Sequence, residues 1–283
     1  MTESLKRKIE YSIKLIRDAE KIALEYDVNG FHLAFSGGKD SMVLYHIAAM
    51  AGVKFHAEMQ VTTVDPPELM KFVRKHYPDV KLNRPPINMY NLIRKKKMLP
   101  LRGVRYCCQV LKEQAGGGSV TLLGIRKAES VRRSKRNEVE TRGRKFSGNL
   151  DQFNNRRESQ ISCVKGKDKV LVSPILYWTD ADVWNFIRAN NLPYCELYDM
   201  GFHRIGCMFC PMASKREKAK ALKRYPKVAQ KYKEAIQTLV DSGCCGQKYN
   251  MTADEIFDCW IKNENFSAVV EKRLQKEIEF KTT

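Results

Sequence analysis

Apolar and polar positions along the chain follow two different periods. Between residues 3 and 26, apolar side chains recur at helical spacing and predict an amphipathic N-terminal helix, which Asn29-Gly30 ends. Apolar runs at 31–35, 55–63, 120–125 and 170–174 predict strands, and the segments 41–50, 66–76 and 179–190 predict helices. Strands that alternate with helices indicate an α/β fold with a Rossmann-like parallel sheet.

The strand pattern stops near residue 200. Beyond it, 214–242 and 253–278 have helical, lysine-rich patterns. The expected organisation is an N-terminal helix (1–29), an α/β domain (30–200) and a smaller helical, cysteine-bearing C-terminal region (201–283). The polar stretch 130–157 carries nine Lys and Arg and is predicted to be a mobile loop.

Charge adds the first functional information. The chain has 51 Lys and Arg against 32 Asp and Glu, a formal net charge of +19, which suits a polyanionic partner such as nucleic acid. A basic but inert surface is the alternative. A cleavable leader and a membrane-spanning apolar run are both missing, so we expect a soluble, cytoplasmic protein without a membrane partner.

A glycine turn lies between the first predicted strand and the helix after it. Its residues are Phe35, Ser36, Gly37, Gly38, Lys39, Asp40 and Ser41. A strand–turn–helix directs backbone N–H groups at an anion, and glycines let the backbone approach a phosphate closely. The P-loop pattern and the dinucleotide fingerprint are both absent. Asp40 is unusual beside a phosphate, and Mg²⁺ is its expected partner.

Arg126 directly follows the apolar run "VTLLGI". A basic side chain there lies at the carboxyl edge of a parallel sheet, where open α/β sheets bind their ligands. The same loop continues through Glu129 and Arg132, for which a solvated run of charge is the alternative reading.

The nine cysteines form no disulfide framework. Cys207 and Cys210 have the C-x-x-C spacing of metal ligands, whereas Cys107 and Cys108 are adjacent. Two neighbours chelate one tetrahedral Zn²⁺ poorly but can bind separate irons of a [4Fe–4S] cluster. A cluster is therefore favoured, and zinc or no metal stay open. Cys244-Cys245 is a possible redox pair.

The segment "SGGKDS" resembles the pyrophosphate loop of the adenine nucleotide alpha-hydrolase (PP-loop) superfamily. More closely, the chain resembles the PAPS reductase family, because "TTVDPPEL" (62–69), "LLGIRKAESVRR" (122–133) and "SPILYWTDADVW" onward (173–207) follow in the family's order. The resemblance implies an adenine nucleotide, ATP or a sulfonucleotide (PAPS or APS), bound by residues 35–41 with Gly124, Arg126, Glu129 and Ser130. Lys39, Asp40 and Arg126 are the expected catalytic residues. Adenylyl-sulfate reductases of the family carry a similar CC…CxxC set that binds a [4Fe–4S] cluster.

The chain departs from the sulfonucleotide reductases at one point. Their C-terminal catalytic cysteine, in an E-C-G-[LI]-H segment, has no match here. The chain is more similar in its combined features to the family's iron–sulfur DNA phosphorothioation sulfurtransferases. That similarity implies ATP cleavage to pyrophosphate, adenylation of a substrate and sulfur transfer, with a donor such as a cysteine desulfurase.

Three hypotheses follow from the sequence. The first is adenylation of nucleic acid, with Arg142, Arg144 and Lys145 on phosphates and the basic segment 215–233 in support. The second is a PAPS or adenylyl-sulfate reductase in which Cys244 or Cys245 replaces the missing nucleophile. The third is a nucleotide-sensing, nucleic-acid-binding subunit without catalysis. An oligomer is compatible with all three.

Overall fold

The computed structural model describes residues 1–113, 115–141, 146–156, 169–246, 250–271, 273 and 275. The chain forms two compact units, each with its own hydrophobic core. The first comprises Met1–Gln60, Pro67–Asn83 and Gln114–Ile205, and the second comprises Val61–Pro66, Arg84–Glu113 and Gly206–Thr283. This division differs from the boundaries expected at residues 29 and 200, because the N-terminal helix packs into the first unit and two internal segments join the second.

Seven strands form one sheet in the first unit. They are β1 Phe31–Phe35, β2 Phe55–Gln60, β3 Lys81–Asn83, β4 Val120–Leu122, β5 Val139–Thr141, β6 Ser147–Gly148 and β7 Val170–Val172. Their order is β3-β2-β1-β4-β7-β5-β6. The first five in that order run parallel, whereas β5 lies antiparallel to both β7 and β6. The α/β fold is thus confirmed, with an antiparallel pair at one edge that the apolar pattern did not reveal.

The helices are numbered in chain order, and they include one before β1 and several after β7. They are α1 Glu3–Tyr26, α2 Lys39–Ala51, α3 Pro67–His76, α4 Met89–Lys96, α5 Tyr106–Leu111, α6 Val131–Ser134, α7 Leu150–Asn155, α8 Asp180–Ala189, α9 Lys215–Arg224, α10 Pro226–Asp241 and α11 Ala253–Lys262. Within the part of the chain that the structure describes, no helix combines the length and the apolar character needed to cross a membrane.

The strand order places a functional crevice in the first unit. From β1 the chain passes through α2 to β2 on one side, whereas β4 lies on the other side of β1. Such a reversal of strand order opens a crevice at the carboxyl ends of the two strands. The glycine turn after β1 and Arg126 after β4 both lie at these ends.

The prediction of a mobile loop over 130–157 is wrong for its described residues, which form α6, β5, β6 and α7. The charge that suggested a solvated loop is partly neutralised within the fold. Glu140 is buried and pairs with Arg136, and buried Glu138 accepts a hydrogen bond from Tyr11. Residues 142–145 and Arg157 lie outside the described residues.

The second unit is helical, and the described part of its core comes from α4, α5, α9, α10 and α11. The predicted helical run over 214–242 is divided into α9 and α10 at Tyr225-Pro226. Proline is favoured in the first turn of a helix, where its missing N–H costs nothing, but it cannot continue a preceding helix.

Candidate functional site

The glycine turn connects β1 to the N-terminus of α2. Gly37 has φ +69°, and a Cβ built there would lie 2.6 Å from Leu69 Cδ1. Gly38 caps α2 with an ordinary φ of −80°. Ser41 Oγ accepts the Ser36 N–H at 3.1 Å and donates to the Gly38 carbonyl at 2.9 Å, which closes the turn. These hydrogen bonds fix the turn at the N-terminus of α2, and a helix N-terminus favours an anion.

Four charged side chains form one network at this turn. Arg126 Nε donates to Asp40 Oδ1 at 2.6 Å, and its Nη2 donates to Asp180 Oδ1 at 3.0 Å. Lys39 Nζ lies 3.0 Å from the same Asp180 oxygen and 3.3 Å from Asp40 Oδ2. Lys39 and Arg126 are buried, with 5% and 2% exposure, while the Asp180 side chain is 63% exposed. The structure thus brings together the three residues predicted to be catalytic.

Sequence reasoning did not identify Asp180 as part of this site. It assigned Asp180 only to the start of a helix, which it is, since α8 begins there after the Thr179 cap. Burial alone would raise the pKa of Asp180, but the hydrogen bond and charge of Lys39 and the charge of Arg126 outweigh burial and lower it. Asp180 is therefore ionised, and together with Asp40 it balances the charge of the two cations.

Tyr198 also belongs to the site and was not singled out. Its hydroxyl oxygen accepts the backbone N–H of Lys39 at 2.8 Å, which is one of the amides that a bound phosphate would use. Burial raises the pKa of Tyr198, so the phenol stays protonated at neutral pH. Tyr198 lies in the segment 173–207 that carries the family resemblance, but its contact with Lys39 could not be predicted because 158 residues separate the two in the sequence.

The other predicted nucleotide-binding residues have structural roles in the same region. The side chain of Phe35 lies in the core, with its ring centroid 4.9 Å from that of Tyr77. A Cβ on Gly124 would lie 3.1 Å from the Asp40 carbonyl, so glycine lets the β4 loop pass close to the turn. Glu129 accepts the Arg126 N–H at 3.0 Å, and Ser130 caps α6. Glu129 therefore positions the backbone of Arg126.

Asp40 was expected to pair with Mg²⁺, but in the structure it pairs with Arg126 and Lys39. Its charge is therefore balanced within the protein. Mg²⁺ at Asp40 stays a prediction, but it no longer follows from a need for a counter-ion.

The four predicted metal-ligand cysteines all lie in the second unit. Cys107 and Cys108 open α5, and the turn through Cys207 and Cys210 is closed by the Cys210 N–H, which donates to the Cys207 carbonyl at 3.2 Å. The hydrogen bond between the Cys107 and Cys108 thiols raises the pKa of Cys107 and lowers the pKa of Cys108 to about 6. The charges of Cys207 and Cys210 also raise the pKa of Cys107. The four thiols therefore share one neighbourhood.

Four cysteines are the number of ligands that a [4Fe–4S] cluster requires. Among the described residues, however, no three Cys, His, Asp or Glu side chains are grouped as metal ligands would be. The cluster at these cysteines therefore stays a prediction. The charge of Cys207 raises the pKa of Lys112. Burial raises the pKa of Cys210, although the Met212 backbone N–H donates a hydrogen bond to its sulfur and opposes that shift.

The predicted nucleic-acid contacts Arg142, Arg144 and Lys145 lie outside the described residues. In the second basic segment, 215–233, the structure places Lys218 in the interior, where it donates to Asn263 Oδ1 at 2.9 Å. The described side chains that are exposed there include Lys215, Arg216, Lys223, Arg224, Lys227 and Lys231.

Comparison with known proteins identifies the family. An uncharacterised protein of Methanocaldococcus jannaschii is 26% identical over 230 residues, which cover 76% of this chain and 43% of that protein. The chain thus spans less than half the length of this relative. An adenosine 5'-phosphosulfate reductase of Staphylococcus saprophyticus is 26% identical over 69% of this chain and 76% of its own length.

Among solved structures, the phosphate complex of phosphoadenylyl-sulfate (PAPS) reductase from Candida auris aligns with a TM-score of 0.46 at 16% identity. The alignment covers 74% of this chain and 97% of that one. Residues 30–213 match the phosphoadenosine phosphosulfate reductase domain, well over half of the chain. The match, together with the glycine turn, the order of its flanking segments and the α/β sheet, shows that the chain belongs to the PAPS reductase family within the PP-loop superfamily.

Proposed function

We propose that this protein is an ATP pyrophosphatase that adenylates nucleic acid for sulfur transfer, and that it carries a [4Fe–4S] cluster. One observation carries the proposal. Lys39 and Arg126, from two loops at the carboxyl edge of the sheet, meet at the N-terminus of α2 beside a glycine turn. Buried cations and a helix N-terminus at such an edge suit a pyrophosphate group.

The reaction assigns a role to each group. A substrate oxygen attacks the α-phosphorus of ATP, the α–β phosphoanhydride bond breaks and pyrophosphate leaves. Lys39 stabilises the negative charge that grows on the leaving group, and the turn amides hold its oxygens. Arg126 lies where a second cation can contact the nucleotide phosphates. The outer sulfur of a donor persulfide, such as that of a cysteine desulfurase, then displaces AMP from the adenylated position. A second thiol reduces the resulting disulfide and leaves the sulfur on the substrate.

The cysteine group supports the second half of the proposal. Cys107, Cys108, Cys207 and Cys210 would hold the cluster, and Lys112 beside them would offset its negative charge. When bound, such a cluster supplies sulfide-coordinated iron that can transfer electrons or bind a sulfur ligand. The protein's own contribution is a half-buried pocket of four thiols supported by the apolar core of the second unit.

Nucleic acid is the proposed acceptor because of charge. The net charge of +19 exceeds what an ATP site requires, and the basic residues of 130–157 and 215–233 suit phosphate contacts. A cytoplasmic location follows from the proposed substrates.

A reductase is the second candidate, and the names of several relatives favour it. In that reading a thiol attacks the sulfonucleotide sulfur and sulfite is later released. Cys244 is exposed and Cys245 is half-buried, so Cys244 is the better candidate nucleophile. The absence of the reductases' E-C-G-[LI]-H segment from the sequence counts against this reading.

Pyrophosphate release from ATP tests the proposal. Anaerobically purified protein with Mg²⁺ and DNA or RNA should convert ATP to AMP and pyrophosphate, and Lys39→Ala should lose turnover more than ATP binding. Lys21→Ala, which removes an exposed lysine of α1, is the matched control and should retain turnover. ATP binding without turnover under every condition would favour a nucleotide-sensing subunit instead.

A further inference from the structure

A groove of about 470 Å³ opens on the first unit beside the charged network. It is lined by the first turns of α1 and the segment after β7, with Glu3, Ser4, Arg7, Lys8, Tyr11, Pro174, Tyr177 and Trp178. Because the segment after β7 starts at the carboxyl end of a strand, the groove lies at the same sheet edge as the glycine turn, beyond β4. Its volume is within the range of small-molecule sites.

The groove is tied directly to the candidate active site. Arg126 Nη1 donates to the Trp178 carbonyl at 3.4 Å. Trp178 therefore lines the groove and also contacts Arg126 of the candidate active site. Trp178 Nε1 donates to Ser12 Oγ at 3.1 Å, and Ser12 Oγ donates to the Pro174 carbonyl at 2.8 Å. These buried hydrogen bonds fix α1 against the segment 174–178. The walls of the groove are therefore held in place by hydrogen bonds next to Arg126.

The surface of the groove combines exposed aromatic rings with unpaired cations. Tyr177 is 50% exposed and Tyr11 is 47% exposed. Lys127, the neighbour of Arg126, has its Nζ 4.8 Å from the centre of the Tyr177 ring. Within the described part of the chain, neither Arg7 nor Lys127 makes an ion pair, whereas Glu3 is paired with Lys6 and Lys8 with Asp182.

We propose that this groove binds one nucleotide of a single-stranded nucleic acid, with the base on Tyr177 and the neighbouring phosphates on Arg7 and Lys127. The assignment rests on the proposed function and specifies where its acceptor enters. Stacking on exposed aromatic side chains combined with nearby cations is how proteins bind single strands without reading sequence. A duplex is less suited, because its bases are already stacked on each other.

Charge complementarity selects this occupant over a protein segment. Among the described residues, Arg7 in the groove and Lys127 beside its Tyr177 make no ion pair, whereas Glu3 is paired with Lys6 and Lys8 with Asp182. An anionic chain with flat aromatic groups satisfies both features together. The position next to Arg126 also brings the strand towards the place where the α-phosphate of ATP would be attacked.

Binding of a fluorescein-labelled oligothymidylate of about ten nucleotides, measured by anisotropy without ATP, tests the groove. Tyr177→Ala should weaken binding about five- to a hundredfold, as loss of one stacked base predicts. Tyr177→Phe should bind as the wild type does, because it keeps the ring. Arg7→Gln should weaken binding and reduce its salt dependence, while Lys21→Gln on the same helix loses an equal charge more than 20 Å away along the axis and should have a smaller effect.

The outcomes separate the groove from the proposed function. If the wild type binds the oligonucleotide and Tyr177→Ala binds equally well, the groove assignment is wrong while nucleic acid stays the acceptor. If Lys21→Gln weakens binding as much as Arg7→Gln does, the cations act only through net charge and the assignment is also wrong. If the wild type binds no oligonucleotide at low salt, nucleic acid fails as the acceptor and the groove fails with it.

Discussion

Asp180 shares with Asp40 the two cations that the site can offer to a phosphate. Its carboxylate lies 3.0 Å from Lys39 Nζ and 3.0 Å from Arg126 Nη2, and it is largely exposed. An incoming pyrophosphate must compete with this carboxylate, which can turn into solvent while staying at the favourable N-terminus of α8.

Asp180→Asn should therefore bind inorganic pyrophosphate more tightly than the wild type does. The gain should be about two- to fivefold, because exposed ion pairs contribute up to about 1 kcal/mol. Isothermal titration calorimetry measures it, and Asp18→Asn, which removes an exposed carboxylate paired with Lys14 on α1, is the control. Weaker binding by Asp180→Asn would show that the carboxylate positions the cations instead of competing for them.

The two glycines of the turn should respond differently to alanine. Gly37→Ala should lower the free energy of unfolding by about 1–3 kcal/mol, because its φ is +69° and its Cβ would meet Leu69 and Val73. Gly38→Ala should leave stability unchanged, since its Cβ would make only ordinary contacts at 3.4 and 3.5 Å. It should still weaken nucleotide binding, because the added methyl group occupies the approach to the amides.

Urea unfolding and nucleotide titration of both variants check this pair. Equal unfolding midpoints for Gly37→Ala and Gly38→Ala would contradict the geometry of the turn. Unchanged nucleotide binding by Gly38→Ala would contradict the assignment of the turn to the phosphates.

At the residue scale, the sequence predicted the components of the site but not their partners. Lys39, Asp40 and Arg126 were identifiable because the turn and the strand end give each a fixed place in a parallel sheet. Asp180 and Tyr198 were not, because their contacts with Lys39 bridge 141 and 159 positions of the chain. Only the packing of α8 and the segment after it brings them to the turn.

At the element scale, long apolar runs were predicted well and short elements were not. The strands β1 and β2 and the helices α1 and α2 were all found at the predicted places, because each has a long periodic or apolar run. The strands β5 and β6 have three and two residues and lie in a charged stretch. β5 pairs with β7 and β6 pairs with β5. The carboxylates of this stretch are buried with partners in the fold, as Glu140 is with Arg136, and composition does not reveal that.

The cysteine group gives a prediction at the same scale. Anaerobically prepared protein should absorb near ~400 nm and contain iron and sulfide, as thiolate-bound clusters do. Cys107→Ser, Cys108→Ser, Cys207→Ser and Cys210→Ser should each lose iron. Cys244→Ser should keep it, because this thiol is exposed in another part of the second unit. Iron and acid-labile sulfide assays measure the result, and stoichiometric zinc without iron would contradict it.

At the scale of the whole molecule, the affinity for nucleic acid should fall as the salt concentration rises. A plot of log K against log salt should fall with a slope of about −0.7 for each neutralised phosphate of a single strand. Charge reversal at Arg142, Arg144 and Lys145 should flatten this slope and weaken all sequences alike, because phosphate contacts carry no sequence information. Binding that does not depend on salt would show that the excess of Lys and Arg affects only solubility and not the binding of nucleic acid.

The most direct measurement follows the bond that breaks. Anaerobic, iron-replete protein is supplied in parallel with ATP, Mg²⁺ and nucleic acid, or with a sulfonucleotide and a thiol, and the products are followed by ³¹P NMR and a sulfite assay. The account predicts AMP and pyrophosphate from ATP, dependent on Mg²⁺ and on Lys39, and no sulfite. Sulfite from the sulfonucleotide, with ATP left intact in the presence of every acceptor, would contradict the account and establish the reductase reading.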